Sequence, residues 1–333
     1  MRRIDIHVSN PDLESMVLER VQTQEPIDCA VICLNEDQGK FISVLLREGT
    51  GQTLMDALQD CLKDREGWQI TVLPVEATIP AVETVPDSPG KRSENALREE
   101  LYEDIEAGAA LNREFLIFVA LSTVVAAIGL NSDGVAAVIG AMVIAPLLGP
   151  IMGFSFGVAL GDETLLWRGT RTLLVGIVTA MLVAVGLSFV MPIDLESREL
   201  ITRADVRLDG LALAMASGAA AALSIVRGQG TVLVGVMVAA ALLPPGAAVG
   251  LFGGAGEWEL AFRALLLLLL NVASLVLSAL VVFRVRGIAP RTWWEKKKAA
   301  RAVWVNMGLS GLFLLAMIVL IVFLDLGETV TVR

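Results

Sequence analysis

Residues Gly140 to Pro150 read GAMVIAPLLGP, and the stretch returns at Gly235 to Pro245 as GVMVAAALLPP. At this offset of 95 residues, seven of eleven positions are identical: Gly140/Gly235, Met142/Met237, Val143/Val238, Ala145/Ala240, Leu147/Leu242, Leu148/Leu243 and Pro150/Pro245. Both copies lie inside long apolar runs, where a proline lacks the donor a helix needs and breaks it. Proline-interrupted helices at matching places in two halves of a chain point to a binding site near the bilayer midplane. The plainer alternative is that proline and glycine only shape packing, as they often do in membrane helices.

The rest of the composition agrees with a membrane setting. A hydrophobic content of 55% and a mean hydropathy of +0.68 describe a polytopic membrane protein rather than a soluble enzyme. The net charge of −10 comes largely from acids in the first 115 residues and in loops. MRRIDIHVSN at the start has charges but no apolar stretch behind it, so no cleaved signal peptide is expected. Cys29, Cys33 and Cys61 all precede the apolar runs. An odd count without metal-type spacing argues against a disulfide framework, and reduced thiols in the core of a cytosolic domain are expected.

Residues 1–80 change period in the order βαββαβ. Arg3–Val8 alternates as a strand, Asp12–Gln24 repeats Leu13, Met16, Val17, Arg20 and Val21 at helical spacing, and Ile27–Leu34 and Lys40–Arg47 form a hairpin. Thr53–Arg65 is a helix with Leu54, Ala57, Leu58, Cys61 and Leu62 inward, and Trp68–Val75 closes the sheet. This is the ferredoxin-like split motif, an α+β fold. It holds no glycine-rich phosphate loop, and its lone His7 builds no metal site, so regulation or assembly is the expected role.

Residues 81–95 follow as a linker, set in a stretch with three prolines, PAVETVPDSPGKRSEN. Residues 96–112 continue an amphipathic helix with Leu97, Leu101, Ile105 and Ala109 on a narrow stripe, its other faces strongly acidic. That charge disfavours an anionic lipid surface, and docking on protein is expected.

Residues 113–333 form the transmembrane part, with seven apolar segments: about 114–130, 134–160, 170–191, 208–226, 230–254, 264–283 and 303–324. Most are about 20 residues long, a bilayer crossing. The second and fifth carry the prolines and read either as broken crossings or as re-entrant hairpins. The basic loop with Arg284, Arg286, Arg291, Lys296, Lys297, Lys298 and Arg301 belongs inside. Seven crossings then place the N-terminal domain in the cytoplasm and the C-terminus outside. With three crossings per unit, residues 113–191 and 208–286 are inverted repeats, and 303–324 is an added helix.

Deep ionisable groups usually mark function in a membrane, and the spans have none. The candidates are instead the helix ends that broken helices expose. The expected path is lined by Gly140, Pro146, Gly149, Pro150, Gly235, Pro244, Pro245 and Gly246, with Ser155 and Asn271 as polar side chains. Helix N-termini suit anions and unwound carbonyls suit cations. Glycine ladders at 149, 153, 157 and 161 and at 246, 250 and 254 suit close helix packing.

GAMVIAPLLGP, the preceding REELYED helix (Arg98–Asp104) and ALLPPGAAVG (Ala241–Gly250) resemble a prokaryotic family of hydrophobic membrane proteins catalogued as domain of unknown function 389. The resemblance covers roughly 98–285. It implies an integral membrane protein and carries over no catalytic residues.

The expectation is a secondary transporter of a small solute or ion in a prokaryotic cytoplasmic membrane, regulated or assembled by the cytosolic domain. A channel, or a membrane-anchored ligand sensor or scaffold, is the rival. No Ser/His/Asp set, membrane aspartate pair or HExxH motif is present, so no enzyme is expected. Nor are a cofactor, a metal or a nucleic acid. The lipid bilayer and further copies of the chain are the expected partners.

Overall fold

The computed structural model describes residues 1–33, 39–46, 50–63, 65–75, 98–206, 208–228 and 232–288, with positions 308 and 311 in isolation. The linker at 81–95 and the segment at 303–324 lie outside the described residues. The chain divides into two compact units, Met1–Glu100 and Leu101–Arg333.

The first unit runs β1 (Arg2–Val8), α1 (Pro11–Gln22), β2 (Asp28–Cys33), β3 (Lys40–Leu46), α2 (Gly51–Leu62) and β4 (Trp68–Pro74). The strands form one sheet in the order β2-β3-β1-β4, with every neighbouring pair antiparallel. Facing residues in such pairs share a side, so Ile4 opposite Val44 and Val72, and Ile6 opposite Ile42 and Ile70, gather the apolar period on one face. Leu13, Val17 and Val21 of α1 and Leu54, Met55, Leu58 and Leu62 of α2 close over it. Each fully buried aliphatic side chain there contributes about 1.5–3 kcal/mol. Ala57, expected inward, is half-buried, and of the residues set at helical spacing in α1, Met16 is half-buried and Arg20 exposed.

The thiols differ from expectation. Cys29 and Cys33 are exposed, and Cys61 is half-buried. Cys29 lies opposite Val44 and Val31 opposite Ile42, on the side the helices cover, yet β2 is open along its whole length. It is an edge strand that the helices do not reach. Partial burial, then the Asp28 carboxylate beside it, pushes the Cys29 thiol up.

The second unit begins within α3 (Arg98–Gly108) and continues with α4 (Arg113–Asn131), α5 (Val135–Ile144), α6 (Leu148–Leu160), α7 (Glu163–Ser188), α8 (Arg198–Ile201), α9 (Leu208–Val226), α10 (Val232–Ala255) and α11 (Trp258–Val285). The repeat is visible in these bounds. α9 starts and ends 95 residues after α4, α11 starts 95 after α7, and α10 ends 95 after α6.

The turns repeat too. Asp162 N–H donates to the Gly157 carbonyl at 2.9 Å and Gly161 N–H to Val158 at 3.2 Å; Glu257 donates to Phe252 at 2.9 Å and Gly256 to Gly253 at 3.2 Å. Each is a helix-terminating turn that needs a left-handed residue. Gly161 at φ 70° and Gly256 at φ 83° supply it without the penalty of a Cβ. One turn earlier, Asp133 at φ 55° is matched by Gly228 at φ 63°.

Among the described residues, five helices are long and apolar enough to cross a membrane, α4, α7, α9, α10 and α11, and a sixth candidate is the bent pair α5 and α6. The protein is therefore membrane-embedded. Of the segment at 230–254, expected to be broken, the described part lies in one continuous helix, Val232–Ala255, that runs through Pro244 and Pro245. Only the segment at 134–160 is interrupted, by a bend of 53°.

Candidate functional site

The interruption is local chemistry. The ring of a proline crowds the residue before it out of the α region, and Ala145 stands ahead of Pro146 in an extended conformation, φ −68° and ψ 119°. Its N–H still closes α5 on Ala141 at 3.1 Å. α6 restarts at Leu148, with Leu147 at its N-cap supplying no side-chain hydrogen bond. Pro150 is the third residue of α6, within the first turn, where its missing N–H costs no helical bond.

The break leaves the last carbonyls of α5 and the first amides of α6 without helical partners. The two helices have 10 and 13 residues. They span about 15 and 20 Å against a hydrocarbon thickness of about 30 Å, so the interruption falls near the middle of their combined length.

The second copy lacks this break because the proline is elsewhere. At the offset of 95, Pro146 corresponds to Ala241 and Gly149 to Pro244. Pro245 has no N–H for the carbonyl four residues back, which belongs to Ala241. Asn271 of α11 answers it, its Nδ2 donating to the Ala241 carbonyl at 2.8 Å. Every residue from Leu242 to Ala248 is buried. Packing and this one amide keep α10 continuous.

The remaining candidates separate into groups. Gly235 faces Leu148, with a Cβ there 3.8 Å from the leucine side chain, so the start of the second copy meets the start of α6. A Cβ on Gly140 or Gly246 meets nothing within 4 Å. Gly149 packs against the Gly108 carbonyl, too close for any side chain, and a Cβ on Gly153 falls 2.6 Å from Ala109. These two glycines seat the end of α3. Ser155 is fully buried, and no described group pairs with its hydroxyl. Its neighbour Phe156 meets Phe283 edge-on at 5.3 Å. Phe283 is twelve residues along α11 from Asn271, about 18 Å, and no described contact joins Ser155 to Asn271.

The sequence did not point to the polar belt that holds α3. Tyr102 donates its hydroxyl to Asp162 at 2.8 Å, Thr172 donates to the Ala109 carbonyl at 2.8 Å, and Arg168 pairs with Glu106. Asp162 also caps α7, accepting from the Thr164 and Leu165 amides at 2.9 and 3.0 Å. Burial first, then the hydrogen bond to Asp162, pushes the Tyr102 phenol up to about 12. At the other end of α4, Asp133 accepts from the Glu199 amide at 2.8 Å and the Ser197 hydroxyl at 3.1 Å. The Glu199 amide, then the Ser197 hydroxyl, holds the Asp133 carboxyl below the usual range. Asp162 and Ser197, each one residue ahead of a helix, are residue types of ordinary N-caps, and that is the signal the sequence holds for these contacts.

Two helical units that share their turns at one offset, one broken and one continuous, define a membrane-embedded protein with an internal repeat and a small α/β unit ahead of it. Residues 142–277 match the family described as "Domain of unknown function (DUF389)". The chain is also 34% identical to the uncharacterized protein MJ0678 of Methanocaldococcus jannaschii over 276 residues, which cover 81% of this chain and 86% of the relative. The chain belongs to the DUF389 family. No solved structure matches it.

Proposed function

We propose that the protein is a secondary transporter of a small solute or ion, with the solute held at the break between α5 and α6. The observation that carries this reading is the interruption at Ala145–Leu147, which sets unpaired amides and carbonyls near the middle of an apolar helix pair. A bend of 53° leaves both halves travelling in the same sense, which favours a crossing over a hairpin.

The packing supports repeats related by a pseudo-two-fold axis, and three crossings per unit would invert the second. α10 lies on α7, and α6, the counterpart of α10, lies on α11, the counterpart of α7. A pseudo-two-fold axis gives this reciprocity. With six crossings between it and the basic loop that follows α11, the N-terminal unit is cytoplasmic in a prokaryotic inner membrane, and its β2-β3-β1-β4 order supports the ferredoxin-like reading. The path includes Gly140, Pro146, Gly235 and the buried Pro150. No catalytic step is part of this reading.

The test is solute uptake by the full-length protein in proteoliposomes, guided by a thermal-shift screen of small ions, organic anions and amino acids. Saturable uptake of a stabilising solute that Pro146→Ala abolishes, with folding kept, is the expected result. Flux that never saturates would favour a channel. Absence of any flux, with binding that Pro146→Ala leaves intact, would overturn transport.

A further inference from the structure

Pro244 and Pro245 together withdraw two donors from α10, those that would serve the carbonyls of Ala240 and Ala241. Away from water such acceptors need other partners. Asn271 serves Ala241, and that bond fixes the orientation of its amide, because a flipped amide would set oxygen against oxygen.

The carboxamide oxygen is left over. Asn271 is only 6% exposed, and among the described residues no donor reaches its Oδ1. The next carbonyl on α10, Ala240, is the one that Pro244 cannot serve. One turn along α11, Ser274 is fully buried and spends its proton on the Leu270 carbonyl at 2.6 Å. Its oxygen therefore keeps its lone pairs for accepting.

Acceptors without donors call for an electropositive guest. Neither α10 nor the stretch of α11 from Ala264 to Phe283 holds an Asp or Glu, so the oxygens are all neutral. Divalent cations are held largely by carboxylates, which this place lacks. We propose that the Ala240 carbonyl, Asn271 Oδ1 and Ser274 Oγ bind one monovalent alkali cation between α10 and α11. Its use as a coupling ion rests on the transport reading; its binding does not.

The experiment is thermal unfolding of the full-length protein in lipid nanodiscs, titrated with sodium, potassium or N-methyl-D-glucamine chloride at constant ionic strength. One alkali cation is expected to raise the midpoint saturably over N-methyl-D-glucamine, by mass action on the folded state. Asn271→Leu should remove that increment. Asn271→Asp should lower the half-saturating concentration by about tenfold, since a carboxylate attracts the cation. Identical midpoints in all three salts for the wild type would overturn the site. So would an increment that Asn271→Leu leaves unchanged. If Asn271→Leu does not fold, Asn271→Asp decides: a midpoint lowered equally in every salt means that Asn271 only supports α10. Saturable cation stabilisation without solute flux would remove the transport reading and keep the site.

Discussion

Gly140–Pro150 and Gly235–Pro245 share seven of eleven residues, sit between matching left-handed turns, and yet one is two helices and the other is one. The prolines they share do not explain this. Pro150 lies in the first turn of α6 and Pro245 in the interior of α10, and α10 tolerates it because Asn271 takes the orphaned carbonyl. The residue that differs at the point of rupture is Pro146, opposite Ala241. A repeat can thus preserve its turns and boundaries while one substitution decides whether a span is broken.

Moving the proline should move the break. Ala241→Pro removes another donor from a buried helix interior and should cost about 3 kcal/mol or more, read as a fall in unfolding midpoint in mild detergent. A cost below about 1 kcal/mol would mean that α10 is already open there.

The glycine ladders offer a smaller contrast. Gly149→Ala drives a methyl into the Gly108 carbonyl, and overpacking of this kind costs about 1–3 kcal/mol. Gly246→Ala meets open space and should stabilise α10 by about 0.5–1 kcal/mol. Equal effects on thermal stability would remove the distinction between the two ladders.

The matched turns differ in what their N-caps do. Asp162→Ala should cost about 1 kcal/mol through the lost cap, whereas Glu257 makes no side-chain cap bond and Glu257→Ala should be close to silent in the same unfolding assay. Tyr102 is the sole tyrosine, so tyrosinate absorbance reports it alone. Its phenol should titrate near 12 rather than 10.0. A proton affinity higher in the folded state contributes stability that is intact below pH 10 and lost as pH rises from 10 to 12. Asp162→Asn should bring the midpoint down part of the way, since burial is the larger cause.

Much of this was legible in the sequence. The offset of 95 located the helices of both units, and the alternation of residues 1–80 gave the strands and helices in order. The rule that a proline breaks a helix succeeded at Pro146 and failed at Pro244–Pro245, because it is a local rule and the partner of Ala241 is thirty residues away on α11. Alternation likewise placed Cys29 on the helix side of the sheet, but it cannot say how far the helices extend, and they stop short of β2. That α3 docks on protein was legible, but its seat was not, because Gly149 read equally well as path or as packing and the ladder that holds Gly153 names no partner helix.

The most direct measurement is backbone hydrogen exchange of the full-length protein in nanodiscs, comparing the Leu147 and Leu148 amides with those of Leu242 and Leu243. Amides at the break lack helical partners, so they should exchange faster than their counterparts in α10 by about a hundredfold. Equal protection at the two places would mean that the repeated stretch is sealed in both copies, and the account of a midplane break with unpaired amides would be wrong.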